Sequence, residues 1–405
     1  MARVKKVVSL FTGLGGIDIG LEKAGYKTVL CVENDKECQE TLALNRPFWK
    51  LANPSDVFEL TGEIVLAQAG LKPKQADLLA GGPPCQPFSK AGYWVSGDSK
   101  RMSDPRAGTI NSYLEIVGAV LPKALLFENV KGFAFKEKDE GLKILCRGLE
   151  RINETHGTKY RAHILRINAI DYGVPQRRER IFIIASRDGK DFQLPQPTHG
   201  AEEALLPVAT AWDAIGDLSD NVHCDLSVTG KWSGLLPTIP EGENYLWHTR
   251  RGGGVPLFGW RTRYWSFLLK LAKNQPSWTI PANPGPAVGP FHWDNRKLSV
   301  RELCRIQTIP DEWHVSGEYR AARRQIGNAV PPALSYLLGL WIRKQFFNER
   351  VRTVSMFTPE SRKTPRATRE LPVPKQFLNL IGNHNDHPGE GLGPRAIKRA
   401  NEGVK

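Results

Sequence analysis

Short apolar runs alternate with amphipathic stretches over about the first 190 residues of the 405-residue chain. Each run has the length of a buried strand, and each stretch has the apolar spacing of a helix that covers a sheet. The predicted strands are 7–11, 28–34, 76–81, 124–129, 161–168 and 180–186, and the predicted helices are 17–26, 37–45, 112–122 and 141–153. This alternation predicts a parallel sheet with helices on both faces, which is a doubly wound α/β fold.

The second part of the chain has a different, irregular pattern. Residues 190–295 are rich in Pro, Gly and Trp, contain seven of the eleven tryptophans, and have helical periodicity only at 264–273. We therefore expect a second, smaller and irregular domain here. Helical patterns return at 299–307 and 331–347. From about residue 350 onward Pro, Gly, Asn and charged residues dominate, which is typical of a poorly ordered tail.

The composition is that of a soluble globular protein, with 40% hydrophobic and 24% charged residues. No apolar run is long enough to span a bilayer, and the N-terminal string MARVKKVVSLF lacks the pattern of a signal peptide. The six cysteines are scattered without a C-x-x-C pair, so we expect neither a disulfide framework nor a structural zinc site. These features predict a cytoplasmic protein.

The net charge of the chain indicates a class of binding partner. The formal net charge of +14 favours a polyanionic partner such as nucleic acid, although a solvated cationic surface is the alternative. Residues 350–405 carry eleven Lys/Arg and five Asp/Glu, a net +6, which leaves +8 on the rest of the chain. Charge alone therefore does not fix a site.

A Gly-rich turn follows the first predicted strand, in the string SLFTGLGGIDIG. Gly13, Gly15 and Gly16 lead directly into a predicted helix, and Glu33 follows Gly13 by 20 positions at the end of the next strand. This is the arrangement of a Rossmann-like nucleotide site. Asp18 replaces the third dinucleotide glycine, so an adenosyl ligand such as S-adenosylmethionine fits better than NAD or FAD. The alternative is a turn that serves packing alone.

A single cysteine, Cys85, lies in the string GGPPCQPFSKAG after the third predicted strand. Pro83, Pro84 and Pro87 fix the backbone there, at the carboxyl edge where α/β sheets bind ligands. An accessible cysteine at such an edge is a candidate nucleophile, whereas a lone cysteine is more commonly buried in a core.

Three charged residues lie at neighbouring strand ends. Glu128 ends the strand 124–129, and Arg178 and Arg180 are two positions apart, so their side chains are expected to face the same way. Two guanidiniums on one face can bind a phosphate, a carbonyl oxygen or a carboxylate. Taken singly, each of these residues also suits a solvated surface.

The ordered strings FTGLGG, PPCQPFS, FENV, QRRERIF, RELCRIQ and QIGNAVPP resemble those of the DNA cytosine-5 methyltransferases, in particular the bacterial restriction–modification type. The resemblance covers about 5–190 and 296–345. It implies a catalytic Rossmann-like domain and a smaller, irregular, mainly β target-recognition domain. The implied division is a large domain over 1–188, a small domain over 189–318, a segment returning to the large domain over 319–348, and a basic, poorly ordered tail over 349–405.

The resemblance also implies residue roles. Cys85 matches the nucleophile that attacks C6 of cytosine, and Glu128 matches the residue that contacts N3 and assists by protonation. Arg178 and Arg180 match residues that support the base and the catalytic loop. Residues that match cofactor contacts or lie beside them are Phe11, Gly13, Leu14, Gly15, Gly16, Glu33, Asp56, Pro84, Ile110 and Asn328. Asn34 departs from the bulky residue that some members have beside the adenine.

DNA contacts are expected in two basic stretches. The segment 88–109 is suited to closing over DNA, and 249–265 is the most suggestive stretch for reading the target. The candidate contacts are Ser89, Lys90, Arg101, Arg106, Arg250, Arg251, Arg261 and Arg263. The tryptophans are expected to form the core of the small domain rather than a stacking platform.

The implied function is transfer of a methyl group from S-adenosylmethionine to C5 of a cytosine flipped out of a specific duplex DNA sequence, through a covalent bond between Cys85 and C6. The product is S-adenosylhomocysteine, and no metal is expected. We expect a monomer, nucleoid-associated through DNA, that protects host DNA from a restriction endonuclease to which it is linked by function rather than by binding.

Two alternatives remain open. A transfer-RNA cytosine-5 methyltransferase would share the catalytic strings, although the long segment 190–295 favours duplex DNA. A catalytically silent DNA-binding relative is opposed by the intact set of Cys85, Glu128, Arg178 and Arg180.

Overall fold

The structure, a computed structural model, describes residues 3–84, 108–134, 139–218, 225–352 and 357–382. The chain divides into two compact units. We call them the sheet unit, which comprises Met1–Val174, Arg178–Val208 and Gln307–Thr358, and the irregular unit, which comprises Pro175–Arg177, Ala209–Ile306 and Pro359–Lys405. These bounds differ from the predicted ones, because the chain leaves the sheet unit about 20 residues later and returns about 12 residues earlier than expected.

The regular elements of the described residues are eight strands and nine α-helices. The strands are β1 (Lys5–Leu10), β2 (Tyr26–Val32), β3 (Leu78–Gly81), β4 (Ala124–Val130), β5 (His163–Asn168), β6 (Gln176–Arg177), β7 (Glu179–Ser186) and β8 (Ser277–Trp278). The helices are α1 (Gly16–Lys23), α2 (Lys36–Asn45), α3 (Gly62–Ala69), α4 (Thr109–Val120), α5 (Glu140–His156), α6 (Ala211–Ile215), α7 (Val300–Ile306), α8 (Tyr319–Asn328) and α9 (Pro332–Phe346). Among the helices described, none is long and apolar enough to cross a membrane.

Six strands form one sheet in the order β2-β1-β3-β4-β7-β5. β1 pairs in parallel with β2 and β3, and β3 pairs in parallel with β4. β7, however, runs antiparallel to both β4 and β5, so the sheet is mixed and not the parallel sheet that was predicted. The connection 169–178 contains no α-helix, and without a crossover the chain reverses direction between β5 and β7.

Helices cover both faces of the sheet, which confirms the doubly wound α/β fold. Successive strand residues point to opposite faces. Val8 and Leu79 are buried in a cluster with residues of α3, α4 and α5. Their neighbours Val7 and Leu78 are buried in a second cluster with residues of α1 and α9.

The contact between α1 and α9 is unusually close. A Cβ atom at Gly16 would lie 2.3 Å from the carbonyl oxygen of Val330, and one at Gly20 would lie 2.2 Å from Ser335 Oγ. Ser335 Oγ donates a hydrogen bond to the carbonyl of Gly16 at 3.1 Å. The C-terminal part of the sheet unit therefore packs directly on the helix that follows the Gly-rich turn.

The irregular unit has an aromatic core without an extended sheet. Its buried cluster includes Leu235, Tyr245, Phe258, Phe267 and Phe291. In the described part, strand structure is limited to the two-residue pair β6–β8 and isolated bridges, so the unit is irregular as predicted but not mainly β.

The predicted helical periodicity at 264–273 does not produce a helix. The backbone N–H of Leu268 donates to Ala287 and that of Leu271 to Phe291, both at 2.8 Å. Distant partners therefore replace the i→i−4 ladder, and the apolar residues of this segment are buried by the irregular core.

Residues 359–382 pack into the irregular unit, in contrast to the poorly ordered tail that the composition predicted. The backbone N–H of Thr368 donates to Glu241 at 2.8 Å, and that of Leu371 donates to the carbonyl of Pro237 at 2.9 Å. Phe377 is 5% exposed and stacks on Trp232, with 6.3 Å between ring centroids. Part of the basic C-terminal segment is thus a structural component of the second core.

Candidate active site

A cavity of about 420 Å³ lies in the sheet unit at the carboxyl ends of β1, β2, β3 and β4. Its walls come from the turn after β1, the loop after β2, the Val57–Glu59 turn, the loop after β3, the end of β4, the start of β7 and the end of α8. Nine of the predicted site residues line it: Phe11, Gly13, Gly16, Glu33, Asp56, Pro84, Glu128, Arg180 and Asn328. The sequence therefore identified residues from distant parts of the chain that meet in one space.

The Gly-rich turn forms one wall. Phe11 has φ 53°, a left-handed conformation that a bulky side chain rarely adopts, and Gly13 and Gly15 have φ 59° and 93°. Leu14 is 1% exposed and Ile110 is 2% exposed, and neither lines the cavity. Both are core residues, and Gly15 serves the turn as the residue before α1.

Glu33 is held by the backbone on both sides. One carboxylate oxygen accepts the N–H of Gly13 at 2.6 Å, and the other accepts the N–H of Asp35 at 2.8 Å. Burial raises the pKa of Glu33, and these two hydrogen bonds oppose that shift. The Gly-rich turn and the acidic residue 20 positions later are thus joined directly.

Asp56 is a second acidic residue of the cavity wall. Its Oδ1 accepts the N–H of Phe58 at 3.0 Å and caps the 3₁₀ turn Val57–Glu59. Its Oδ2 accepts the side-chain amide of Asn34 at 3.2 Å. Asn34 and Phe58 also line the cavity, and the sequence did not single out Phe58.

Glu128 and Arg180 form an ion pair at the end of β4, with 3.0 Å between Glu128 Oε1 and Arg180 Nε. Their side chains are 12% and 14% exposed. Burial raises the pKa of the Glu128 carboxyl, while the charges of Arg180 and Arg178 act in the opposite direction. A carboxyl with a raised pKa holds a proton more readily, so this site can donate a hydrogen bond as well as accept one.

Gly82 leaves space beside this pair, because a Cβ atom there would lie 2.9 Å from Glu128 Oε2. Asn129 is buried and its side-chain amide donates to the carbonyl of Pro83 at 3.3 Å. It therefore ties the loop after β3 to β4. This contact was not predicted, although a polar residue at the end of an apolar strand indicates it.

Arg178 and Arg180 have different contacts. Its side chain is fully buried, and Nη2 donates to the carbonyls of Gly327 at 2.9 Å and Ala329 at 2.8 Å. Arg178 thus fixes the end of α8, where Asn328 lines the cavity. The expectation that two guanidiniums bind one ligand on a shared face does not match this geometry.

The remaining predicted residues fall into two groups. Cys85, Ser89, Lys90, Arg101 and Arg106 lie outside the described residues. In the irregular unit, Arg250, Arg251 and Arg261 are exposed and Arg263 is half-buried. The guanidiniums of Arg251 and Arg261 lie 4.6 Å and 5.7 Å from the centroid of Trp260.

The sheet unit is thus a doubly wound α/β fold with a cavity that is lined by an ion-paired carboxyl, a Gly-rich turn and the acidic residue bound to that turn. Residues 5–343 match the model of the C-5 cytosine-specific DNA methylases. The chain is 36% identical to the type II methyltransferase M.SacI of Streptomyces achromogenes, over 81% of this chain and 90% of that protein. It is 31% identical to M.NgoFVII of Neisseria gonorrhoeae, over 81% and 83%.

A solved structure of the methyltransferase EhMeth of Entamoeba histolytica shares the fold, with a TM-score of 0.58, 14% identity, and coverage of 85% of this chain and 99% of that one. The chain belongs to the C-5 cytosine-specific DNA methylase family and is a DNA cytosine-5 methyltransferase of the restriction–modification type.

Proposed function

We propose that the protein transfers a methyl group from S-adenosylmethionine to C5 of a cytosine that has left the DNA duplex, through a covalent bond between Cys85 and C6. One observation carries this proposal. A single cavity joins a nucleotide-type wall, formed by Phe11, Gly13 and Glu33, to a carboxyl that can act on a base, Glu128.

The described residues fit the cofactor. The cavity volume lies within the range of about 300–1,000 Å³ that small-molecule sites occupy. Glu33, fixed by two backbone hydrogen bonds, would accept from ribose hydroxyls, and Asp56 and Asn328 would supply polar contacts. When bound, the cofactor supplies an electrophilic methyl group on its sulfonium.

Cys85 overcomes the weak nucleophilicity of cytosine C5. Its thiolate forms a bond to C6, and the electrons of the C5–C6 double bond then make C5 an enamine nucleophile. After C5 has been methylated, a base removes the C5 proton, the double bond reforms, and the thiolate leaves. Asn129 supports this role, because its hydrogen bond to Pro83 anchors the loop two residues before Cys85.

Glu128 would stabilise the ring as charge develops on it. A carboxyl with a raised pKa can share its proton with N3, which draws electrons from the ring during thiolate attack. Arg180 orients the carboxyl through the 3.0 Å contact. Arg178 acts as a positioning residue, because it holds the carbonyls at the end of α8.

Access to this cavity requires the target cytosine to leave the base stack, at a cost of a few kcal/mol. We propose that the exposed arginines of the irregular unit contact the duplex and that the protein acts as a monomer. Methylation at the recognised sequence would then protect host DNA from a matching endonuclease.

Trapping with 5-fluorocytosine DNA tests the covalent step. Fluorine replaces the C5 hydrogen and cannot be removed by a base, so the thiolate cannot be eliminated, and we expect a stable protein–DNA adduct with the wild type and none with Cys85→Ala. DNA binding by Cys85→Ala should persist in a gel-shift assay. An adduct formed by Cys85→Ala would remove this cysteine from the mechanism.

Matched DNA and RNA substrates test the substrate class. We expect radiolabelled methyl groups in duplex DNA, at a position that bisulfite sequencing locates. Label in transfer RNA alone would instead support a transfer-RNA methyltransferase, and no label together with retained DNA binding would support a silent DNA-binding protein.

A second mutational prediction concerns Glu128. Glu128→Gln removes the titratable carboxyl proton, and we expect kcat to fall by roughly 10²–10⁴-fold while cofactor affinity changes little. Glu179→Gln is the matched control, because Glu179 is an exposed carboxylate at the start of β7. Equal kcat values for the two variants would exclude Glu128 from proton transfer.

A further inference from the structure

Phe58 exposes an aromatic ring to the cavity. Its relative exposure is 53%, yet Val57 beside it is 5% exposed and anchored in the core. Phe48 in the same unit is 69% exposed and does not line the cavity. An apolar ring that is half in water and faces a ligand-sized space suggests a partner that would cover it.

The turn that carries the ring is fixed before any ligand arrives. Asp56 accepts the N–H of Phe58 and fixes the turn that carries the ring. Gly108 lies against the ring edge, since a Cβ atom there would be 3.2 Å from Phe58 Cε1. Because the site is ordered by these two contacts, little conformational entropy would be lost when a flat ligand packs on it.

A hydrogen-bonding edge lies beside this apolar face. Asp56 Oδ2 accepts the amide of Asn34 at 3.2 Å, so this pair presents one carboxylate and one amide to the cavity. The carboxylate can accept from an exocyclic amino group, and the amide can donate to a ring nitrogen. A flat apolar face with a donor and an acceptor beside it matches the chemistry of a purine with an amino group.

We infer that Phe58 provides the aromatic surface on which the adenine of the cofactor packs, and that Asn34 orients Asp56 toward the adenine edge. This inference rests on the proposed function and adds two residues to the cofactor site. The polar residue at position 34 would thereby contribute to selectivity for the base.

Calorimetric titration with S-adenosylhomocysteine tests the aromatic surface. We expect Phe58→Ala to weaken binding about tenfold, the scale of losing one base–aromatic stack. Phe58→Tyr keeps the ring and should stay within about twofold of the wild type, whereas Phe58→Leu keeps apolar bulk without the ring and should lose about threefold or more. Phe48→Ala, which removes an exposed ring away from the cavity, should match the wild type.

Base selectivity tests the polar edge. S-inosylhomocysteine replaces the amino group of adenine with an oxygen, and the wild type should bind it more weakly than S-adenosylhomocysteine. Asn34→Ala should reduce this preference several-fold, because Asp56 loses the amide that orients it. A preference unchanged in Asn34→Ala would overturn the role of Asn34.

The outcomes separate this inference from the proposed function. If the wild type does not bind S-adenosylhomocysteine, the proposed cofactor and the inference both fail. If the wild type binds it and Phe58→Ala and Phe58→Leu bind within twofold of the wild type, the aromatic surface alone is wrong. Because the Phe58 side chain is more than half exposed, the unfolding temperatures of Phe58→Ala and Phe58→Leu should match that of Phe58→Tyr.

Discussion

In the sheet unit, burial raises the pKa values of Asp18 and Glu128, whereas in the irregular unit the pKa values of the buried carboxyls Glu241 and Glu302 are lowered. Burial opposes ionisation in all four cases. Its effect is reversed in the irregular unit, where Lys273 pairs with Glu241 and Arg296 binds both oxygens of Glu302 at 2.7 Å and 2.8 Å. Asp18 and Glu128 therefore hold a proton more readily than ordinary carboxyls, whereas Glu241 and Glu302 act as ionised structural links.

The difference follows from how each unit satisfies its backbone. In the sheet unit, strand pairing satisfies the backbone, so side chains at strand ends remain available for a ligand. In the irregular unit, side chains form hydrogen bonds that a strand ladder would otherwise supply. Asn244 donates to the carbonyl of Trp265 at 2.8 Å, and His248 contacts Thr238 at 2.7 Å and Val255 at 3.0 Å. Charged and polar groups here hold loops together, among them the loop that carries the exposed arginines.

The largest predicted effect on stability comes from breaking a buried ion pair of the irregular unit. Lys273 and Glu241 have side chains only 8% and 5% exposed, so Lys273→Met would leave a buried carboxylate without its cation. We expect a loss of roughly 3–5 kcal/mol in the free energy of unfolding of this unit. Hydrogen exchange of its amides, compared with those of the sheet unit, measures this loss. Lys375→Met, at an exposed lysine, is the control, and equal exchange in both variants would contradict the structural role.

The next prediction concerns the C-terminal segment that completes the irregular core. Phe377→Ala removes a ring that packs on Trp232 and leaves a cavity, and we expect a destabilisation of roughly 3 kcal/mol. Its neighbour Leu378 is 41% exposed, so Leu378→Ala should cost much less. Urea unfolding followed by tryptophan fluorescence compares the two. Similar midpoints would show that the segment is not part of the core.

The contrast between the units also explains what the sequence could predict. Apolar periodicity located the strands, and the carboxyl ends of parallel strands share one edge of a sheet, so Glu33 after β2 and Glu128 in β4 could be placed at the same edge. The antiparallel direction of β7 could not be read from alternation, because it depends on what lies between β5 and β7. Phe58 was missed because one phenylalanine in a loop has no periodic signal.

The structure of the irregular unit was harder to predict from the sequence, for a physical reason. Its segment 264–273 has helical spacing, but tertiary hydrogen bonds to Ala287 and Phe291 determine its backbone. Likewise, the Pro-rich composition near Phe377 concealed a single buried aromatic anchor. Where long-range contacts replace local ladders, residue patterns carry little information about structure.

The smallest predicted effect on stability is opposite in sign and concerns Asp18. Its carboxyl is fully buried and accepts hydrogen bonds from Ser9 Oγ and Thr28 Oγ1, both at 2.8 Å. Burial raises its pKa from 3.8 to about 6, and the two hydroxyls oppose this shift. Below about pH 4 the carboxyl is protonated in both the folded and the unfolded protein, so it causes no pH dependence there.

Between about pH 4 and 6 the unfolded chain releases this proton first, so the stability conferred by the neutral carboxyl is lost as pH rises through the folded pKa. The loss is roughly 2–3 kcal/mol above pH 6. Asp18→Asn keeps a neutral group of the same shape, and the hydroxyls can rotate to hydrogen-bond with it. We therefore expect Asp18→Asn to match the wild type near pH 4 and to be more stable by that amount at pH 7.5, as measured by urea unfolding at both pH values. A variant less stable than the wild type at pH 7.5 would show that Asp18 is an ionised structural link, like the carboxylates of the irregular unit.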